Sequence, residues 1–268
     1  MRPLLFLLFL VAPFGSSAKK KKRKDISLFS SWGYNRAFFS KSAIHFMGEE
    51  YDFTLKNTIA KDRQSPLSVK NYLNITNLTI PQYNFCLGIL LPNNLSFTIG
   101  QDHMKYVVSA YSTAVLNGYT HIHDEFEGDY NNQEIVITPD FLQYEHTDGL
   151  NYVHASLNKE KQVLISKNRK ASLAVNIGIH GGVVIPRSDI TLMHFARNNK
   201  FHLAGYGLGL NAGIKSVFLR YCFFKLDNKM GYINMPDILT RGIGYTDRAK
   251  QAFTFIEFYY SFGVQYPL

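Results

Sequence analysis

Apolar and polar residues alternate along much of this chain, and the alternation is clearest at its end. From Thr254 to Tyr266 the even positions read Thr254, Ile256, Phe258, Tyr260, Phe262, Val264 and Tyr266, while the odd ones read Phe255, Glu257, Tyr259, Ser261, Gly263 and Gln265. A period of two is the mark of a strand that shows different surroundings on its two faces. The same pattern recurs in 172–185, where Leu173, Val175, Ile177, Ile179, Val183 and Ile185 alternate with small or polar residues. It recurs in 202–214, where Tyr206, Leu208, Leu210 and Ile214 oppose glycines and Asn211, and in 83–91. Eight strands are predicted, over 26–36, 82–91, 95–108, 140–157, 171–186, 201–213, 216–232 and 252–266.

The connections alternate in length. Pro92-Asn93-Asn94 and Gly213–Ser216 read as tight turns, and 158–170 as a somewhat longer polar link. Long links fall at 38–80, 109–139, 187–200 and 233–252. Short turns at one end and long loops at the other are the layout of outer-membrane barrels. The predicted fold is all-β: an antiparallel up-and-down transmembrane β-barrel of about eight strands, with short periplasmic turns and long outer loops. The count becomes ten if Ala43–Phe46 and Tyr51–Leu55 add a hairpin to the wall. Glycines and small residues on the polar face favour a membrane barrel over a soluble one, because a soluble barrel needs bulky residues inside.

The chain begins differently. Arg2, an apolar run from Leu4 to Phe14 and the small residues Gly15 to Ala18 read as a secretory signal over 1–18, too short to span a bilayer. Residues 19–25, with Lys19 to Lys22, Arg23 and Lys24, read as a basic flexible arm, and 26–268 as the barrel. Lys and Arg number 29 against 20 Asp and Glu. Leaving out Arg2 and the six basic residues of 19–24 leaves 22 against 20, so the body is nearly neutral and nucleic-acid binding is not indicated. Cys86 and Cys222 fall on separated strands and are expected as free thiols.

Several stretches resemble a family of uncharacterised outer-membrane barrels of Bacteroidetes and similar bacteria: Trp32-Gly33-Tyr34-Asn35-Arg36, Ala60-Lys61-Asp62-Arg63, Ile80-Pro81-Gln82-Tyr83-Asn84, Asp102-His103-Met104-Lys105-Tyr106, Glu145-His146-Thr147-Asp148-Gly149-Leu150-Asn151-Tyr152 and Gly231-Tyr232-Ile233-Asn234-Met235-Pro236-Asp237. The resemblance covers nearly the whole mature chain. It implies a porin-like barrel in the outer membrane of a Gram-negative cell envelope, and it implies no activity.

Two functional readings compete on these residues. In the first, Asn35, Asn84, Asp102, Glu145, Asn151, Asn176, His180, Arg220 and Glu257 form a lumen network, paired because buried charges must be, and the long loops serve a structural or surface-interaction role. In the second, His103, Glu145, His146 and Ser40 serve an enzyme acting on lipid A or phospholipid, a carboxylate orienting a histidine base. Strand parity argues against the second: it directs Asp102 and Glu145 inward and His103 and His146 outward, splitting each pair. A narrow pore or a carrier of a small apolar ligand is the third reading. His121, His123, Asp124 and Glu125 read as a solvated loop rather than a metal site, and the three Asn-x-Ser/Thr triplets at 74, 77 and 94 as chance. No metal and no cofactor is expected. The expected partners are outer-membrane lipid and lipopolysaccharide, with the barrel-assembly machinery during insertion, and the expected state is a monomer.

Overall fold

Where bulky residues alternate with small or polar ones, the chain is extended, because β-branched and aromatic side chains fit a pleated surface. A computed structural model describes residues 26–268 except 78, 123, 169 and 243. The signal and basic-arm segments, 1–25, lie outside the described residues. Fourteen strands follow in chain order: β1 (Ser27–Phe39), β2 (Ser42–Met47), β3 (Tyr51–Thr58), β4 (Ala60–Lys61), β5 (Tyr83–Leu90), β6 (Leu95–Val108), β7 (Thr113–Thr120), β8 (Gly128–Val136), β9 (Leu142–Ile165), β10 (Ser172–Leu192), β11 (Asn198–Phe201), β12 (Gly205–Phe218), β13 (Cys222–Leu239) and β14 (Arg248–Pro267). A short α-helix, α1 (Val69–Tyr72), is capped by Ser68, whose side chain accepts from the Asn71 N–H.

Eight strands close a ring in the order β1, β5, β6, β9, β10, β12, β13, β14 and back to β1, all antiparallel. The register fixes its shape. Ser27 pairs with Leu90, Leu90 with Ser96, Ser96 with Asn158, Asn158 with Gly178, Gly178 with Asn211, Asn211 with Lys229, Lys229 with Glu257, and Glu257 with Ala37. One circuit therefore returns to β1 ten residues further on, and such a stagger tilts the strands by about 40°. The outward side chains from Ile256 to Tyr266 on β14 then rise about 25 Å, the height of a bilayer's apolar band. Phe97, Ile99, Leu157, Ile177, Ile179, Leu208, Leu210, Met230, Phe258 and Phe262 are all exposed on this belt.

Above the belt the pattern inverts. Within it β6 turns Phe97 and Ile99 outward and Ser96, Thr98 and Asp102 inward. Higher on the same strand Met104 and Tyr106 are buried inside, and Lys105 lies on the other face. β14 does the same, with Phe253 and Phe255 inside and Lys250 and Thr254 outside. Register shifts at Met104/Tyr106, Pro186/Asp189 and Met235/Ile238 ring this rim, where bulges commonly bend barrel strands.

At the rim the sheet leaves the ring. The upper end of β14 pairs with β2, and β2, β3, β7 and β8 follow in order. The first-loop hairpin is therefore present but lies outside the wall, so the ring has eight strands and not ten. A second hairpin, β7–β8, falls in 109–139, which reads as loop in sequence. The turn placed at 213–216 lies instead at 219–221, because β12 runs to Phe218. The stretch 158–165 is the continuation of β9, with Asn158 and Glu160 turned into the barrel interior. The longer link placed at 158–170 thus shrinks to 166–171. Both cysteines are free.

A gap in the wall above β5 is closed by loop. β5 begins at Tyr83, so the upper edge of β1 has no strand beside it. Asn35 N donates to Gln82 O, Ala37 N to the Asp62 carboxylate (3.3 Å), and Gln64 Nε2 to Asn35 O. On the other flank β4 pairs with β6, and Lys105 N donates to Gln82 Oε1. These contacts satisfy an edge that would otherwise expose unpaired backbone groups to an apolar medium.

Candidate functional site

Inside the belt the even residues of β6 and β9 and the odd residues of β13 and β14 face the same interior. Asp102, His154, Lys229 and Glu257 meet there at one level. Asp102 Oδ2 lies 2.5 Å from Lys229 Nζ and 3.1 Å from His154 Nε2, and Lys229 Nζ is 3.0 Å from that same ring nitrogen. Asn84 ties the group together: its Nδ2 donates to Asp102 Oδ1 (2.6 Å) and to Glu257 Oε1 (2.8 Å), and its Oδ1 accepts from Asn35 Nδ2 (3.0 Å). All five side chains are buried. Such charges are tolerated because each finds an opposite charge or a donor; removing one partner would leave the other uncompensated.

A second set lies closer to the short-turn end. Lys225 pairs with Asp227 at 2.5 Å, Tyr259 Oη donates to Asp227 Oδ2 (2.8 Å), and Lys215 pairs with Glu160 at 3.3 Å. The Lys215 ammonium also sits over the rings of Phe29 and Phe223, at 5.1 and 4.7 Å from their centroids, a favourable cation–π geometry. Asn211 Nδ2 donates to Asn158 Oδ1 (2.7 Å), with Asn176 beside it. The cavity these side chains line measures about 40 Å³, room for a few water molecules and not for a solute.

Toward the long loops the polar filling gives way to an apolar one. Phe46, Phe53, Tyr51, Leu116, Phe141, Tyr144, Tyr106, Ile190, Met235 and Phe253 form one buried cluster between the extension and the upper wall. Tyr106 and Phe253 stack with centroids 4.9 Å apart, and Gln251 bridges the hydroxyls of Tyr144 and Tyr106. Each large side chain buried here contributes about 1.5–3 kcal/mol. The barrel is thus filled with charge pairs in its belt and closed by an aromatic core at its rim.

The residues singled out in sequence separate into distinct settings. Asn35, Asn84, Asp102 and Glu257 are in the lumen network, Asn176 is in the lower polar set, and His180 accepts or donates at 2.9 Å with Tyr152 Oη. Three expected lumen residues are elsewhere. Glu145 faces outward, half-buried, and pairs with Arg63 at 2.8 Å. Asn151 also faces outward, where its Oδ1 meets His103 Nδ1 at 2.9 Å. Arg220 lies in the β12–β13 turn, its carbonyl accepting from Gln265 Nε2.

The four candidate catalytic residues are likewise dispersed. His103 does face out, but it is buried beneath a ladder of rings: Trp32 stacks on Tyr83 at 4.6 Å, and Tyr83 on His103 at 4.8 Å. His146 faces in, not out as parity suggested, because β9 above the belt carries its apolar residues on the inner face. It is fully buried between Tyr106 and Tyr144, and neither ring nitrogen has a hydrogen-bond partner among the described residues. Burial pushes its pKa down to about 3; it lies well above the belt, seven positions up the strand from Val153. Ser40 Oγ accepts from the Thr254 backbone N–H. No hydrogen bond joins Ser40 to either histidine among the described residues. His121 stacks on Tyr119, Asp124 lies 3.7 Å from His194, and His123 is outside the described residues.

Sequence reading missed Lys229, His154, Asp227, Lys225, Lys215 and Glu160. The signal was available: on β13 the inward parity set by Ile233 and Phe223 also selects Lys225, Asp227 and Lys229.

No family model matches the chain, and no curated protein does. Among solved structures it is similar to the outer membrane protein AlkL, determined in lipid bilayers, at 11% identity over 95% of each chain with a TM-score of 0.36. It is similar to OprG from Pseudomonas aeruginosa at 7% identity over 92% of this chain and 99% of that one, TM-score 0.38. It is also similar to Ail of Yersinia pestis at 8% identity over 90% and 99%, TM-score 0.31.

Proposed function

We propose that this protein is an outer-membrane barrel that acts as a closed anchor, holding a folded β-sheet extension outside the membrane for surface interaction. The single observation that carries this reading is the two-part filling: salt bridges inside an apolar belt of bilayer height, and an aromatic core above it. A membrane barrel needs apolar residues outward and tolerates charge inward, and the inversion at the rim is what a passage from lipid to water demands. The closed interior favours an anchor over a pore. The dispersal of His103, Glu145, His146 and Ser40 favours it over a lipid-acting enzyme. The stretches resembling Bacteroidetes barrels support an origin in that group.

The extension gives the surface role a chemical character. Residues 41–61 and 109–140 carry nine Asp and Glu against three Lys, so this face would attract a basic partner and repel acidic ones.

Fractionation of a Gram-negative host expressing the full chain tests the location. The protein is expected in the outer membrane, with a gel mobility that shifts on boiling; a soluble periplasmic product without a shift would overturn the reading. Planar-bilayer recording tests the closure. No steady conductance steps are expected, and reproducible single-channel steps would replace the anchor by a pore.

A further inference from the structure

The described residues of 62–82, Tyr72 among them, fold down against the outside of the barrel. The Tyr72 ring meets Tyr34 edge-on with centroids 4.9 Å apart, and Tyr34 Oη donates to Tyr72 O at 2.7 Å. Tyr34 is thereby only 8% exposed, although it lies on the outward face. Beside this contact the wall and the loop enclose an external groove of about 600 Å³. The register sets its floor: Tyr34, Tyr260, Leu226 and Ile214 form one row across β1, β14, β13 and β12. The next row toward the rim begins with Arg36 and Phe258.

We propose that this groove binds one molecule of lipid A, with an acyl chain along Tyr260, Leu226 and Ile214 and a phosphate on Arg36. The inference rests on the outer-membrane reading above. Elsewhere the belt is a convex wall that any acyl chain can touch; here the loop adds a second wall, and a concave apolar site of this volume is large enough to bury a ligand. The loop itself points to lipid surroundings, since Leu67, Val69 and Leu73 are 83%, 74% and 73% exposed. Arg36 supplies charge complementarity. It is exposed and has no ion pair within 4.0 Å among the described residues. Its long side chain can reach from the belt toward the headgroup level on the long-loop side, and a guanidinium grips a phosphate bidentately. The long-loop side faces the outer leaflet, where lipid A resides, and this orientation selects lipid A over a phospholipid.

Native mass spectrometry of the folded full-length mature protein, released from detergent with added lipid A or phosphatidylglycerol, tests the proposal. One lipid A is expected to stay bound at collision energies that strip phosphatidylglycerol. Arg36→Ala should lower retention about tenfold. Ile214→Trp, which fills the far end of the groove without touching Arg36 or the loop, should do the same. Equal retention of both lipids, or unchanged retention in both variants, would overturn the site. The heat-shift assay on each sample separates the two failures: a variant or wild type that shifts on boiling but holds no lipid A sinks this site alone, whereas absence of the shift sinks the barrel reading beneath it.

Discussion

Lys229 Nζ stands 2.5 Å from Asp102 Oδ2, although the two residues lie on β13 and β6, on opposite sides of the ring. The pair spans the interior and therefore fixes the distance between two walls. Both side chains are buried. Lys229→Met should destabilise the barrel by about 3–5 kcal/mol, because it leaves the buried Asp102 charge without its lysine. Combining it with Asp102→Asn should recover most of that loss, since the leftover group then needs only hydrogen bonds, which Asn84 can supply. Urea titration of folding into lipid vesicles measures both. A double variant as unstable as the single one would show that the pair contributes more than mutual neutralisation.

The ring was legible in sequence because its signal repeats. Four of the eight strand cores stood out by alternation alone, since Ile177, Leu208 and Phe262 each alternate with small or polar residues that a narrow lumen requires. What was not legible follows from one assumption, that a strand keeps the same chemistry on each face from end to end. Tyr144, His146 and Tyr152 are inward residues of β9, as are His154 and Ser156, but the first group faces an aromatic core and the second a polar one. Taking the apolar face as the outward one in both regions sent His146 outward and Glu145 inward. Among the charged lumen residues Asp102 and Glu257 were named, but Lys229 was not, because the parity that Ile233 and Phe223 set on β13 was not carried down to it. The β7–β8 hairpin escaped because Asn131 to Glu134 of β8 are polar and exposed without a break and show no alternation.

His146 should make the outer core acid-sensitive. Burial lowers its pKa to about 3, against about 6.5 in an unfolded chain. The folded state therefore binds fewer protons than the unfolded one below pH 6.5, and stability falls as the pH drops through that value. Between pH 7 and pH 5 the loss should be about 2 kcal/mol. His146→Phe keeps the ring packing against Tyr106 and Tyr144 and removes the titration. The difference between denaturation midpoints at pH 7 and pH 5, followed by near-ultraviolet circular dichroism of the aromatic core, should shrink in the variant. An unchanged difference would locate the acid sensitivity elsewhere.

The extension and the belt should fail separately. Phe53 is 1% exposed and packs against Phe46, Tyr51 and Phe141, so Phe53→Ala should cost the outer core about 3–5 kcal/mol. None of these contacts lies in the belt. Limited proteolysis should then cut the chain within 121–128, where wild type resists, while the membrane-embedded remainder still shifts on boiling. Loss of the heat shift together with the cleavage would mean that rim and belt unfold as one unit.

The β12–β13 turn carries strain that can be relieved. Leu219 and Arg220 have φ of 53° and 71°, a left-handed conformation that costs a side-chain-bearing residue about 1–2 kcal/mol and glycine almost nothing. Leu219 is 68% exposed and contributes little packing, and the Arg220 contacts that hold the turn run through its backbone, from N to Lys170 O and from O to Gln265 Nε2. Leu219→Asn with Arg220→Gly should therefore stabilise the barrel by about 1 kcal/mol, net of the added freedom of glycine in the unfolded chain. Lys167→Gly, in a turn where φ is not positive, should give no gain. Denaturation midpoints of the three proteins decide the matter: a stabilised control would attribute the effect to glycine itself, and a destabilised double variant would show that the Leu219 side chain, and not the backbone, shapes the turn.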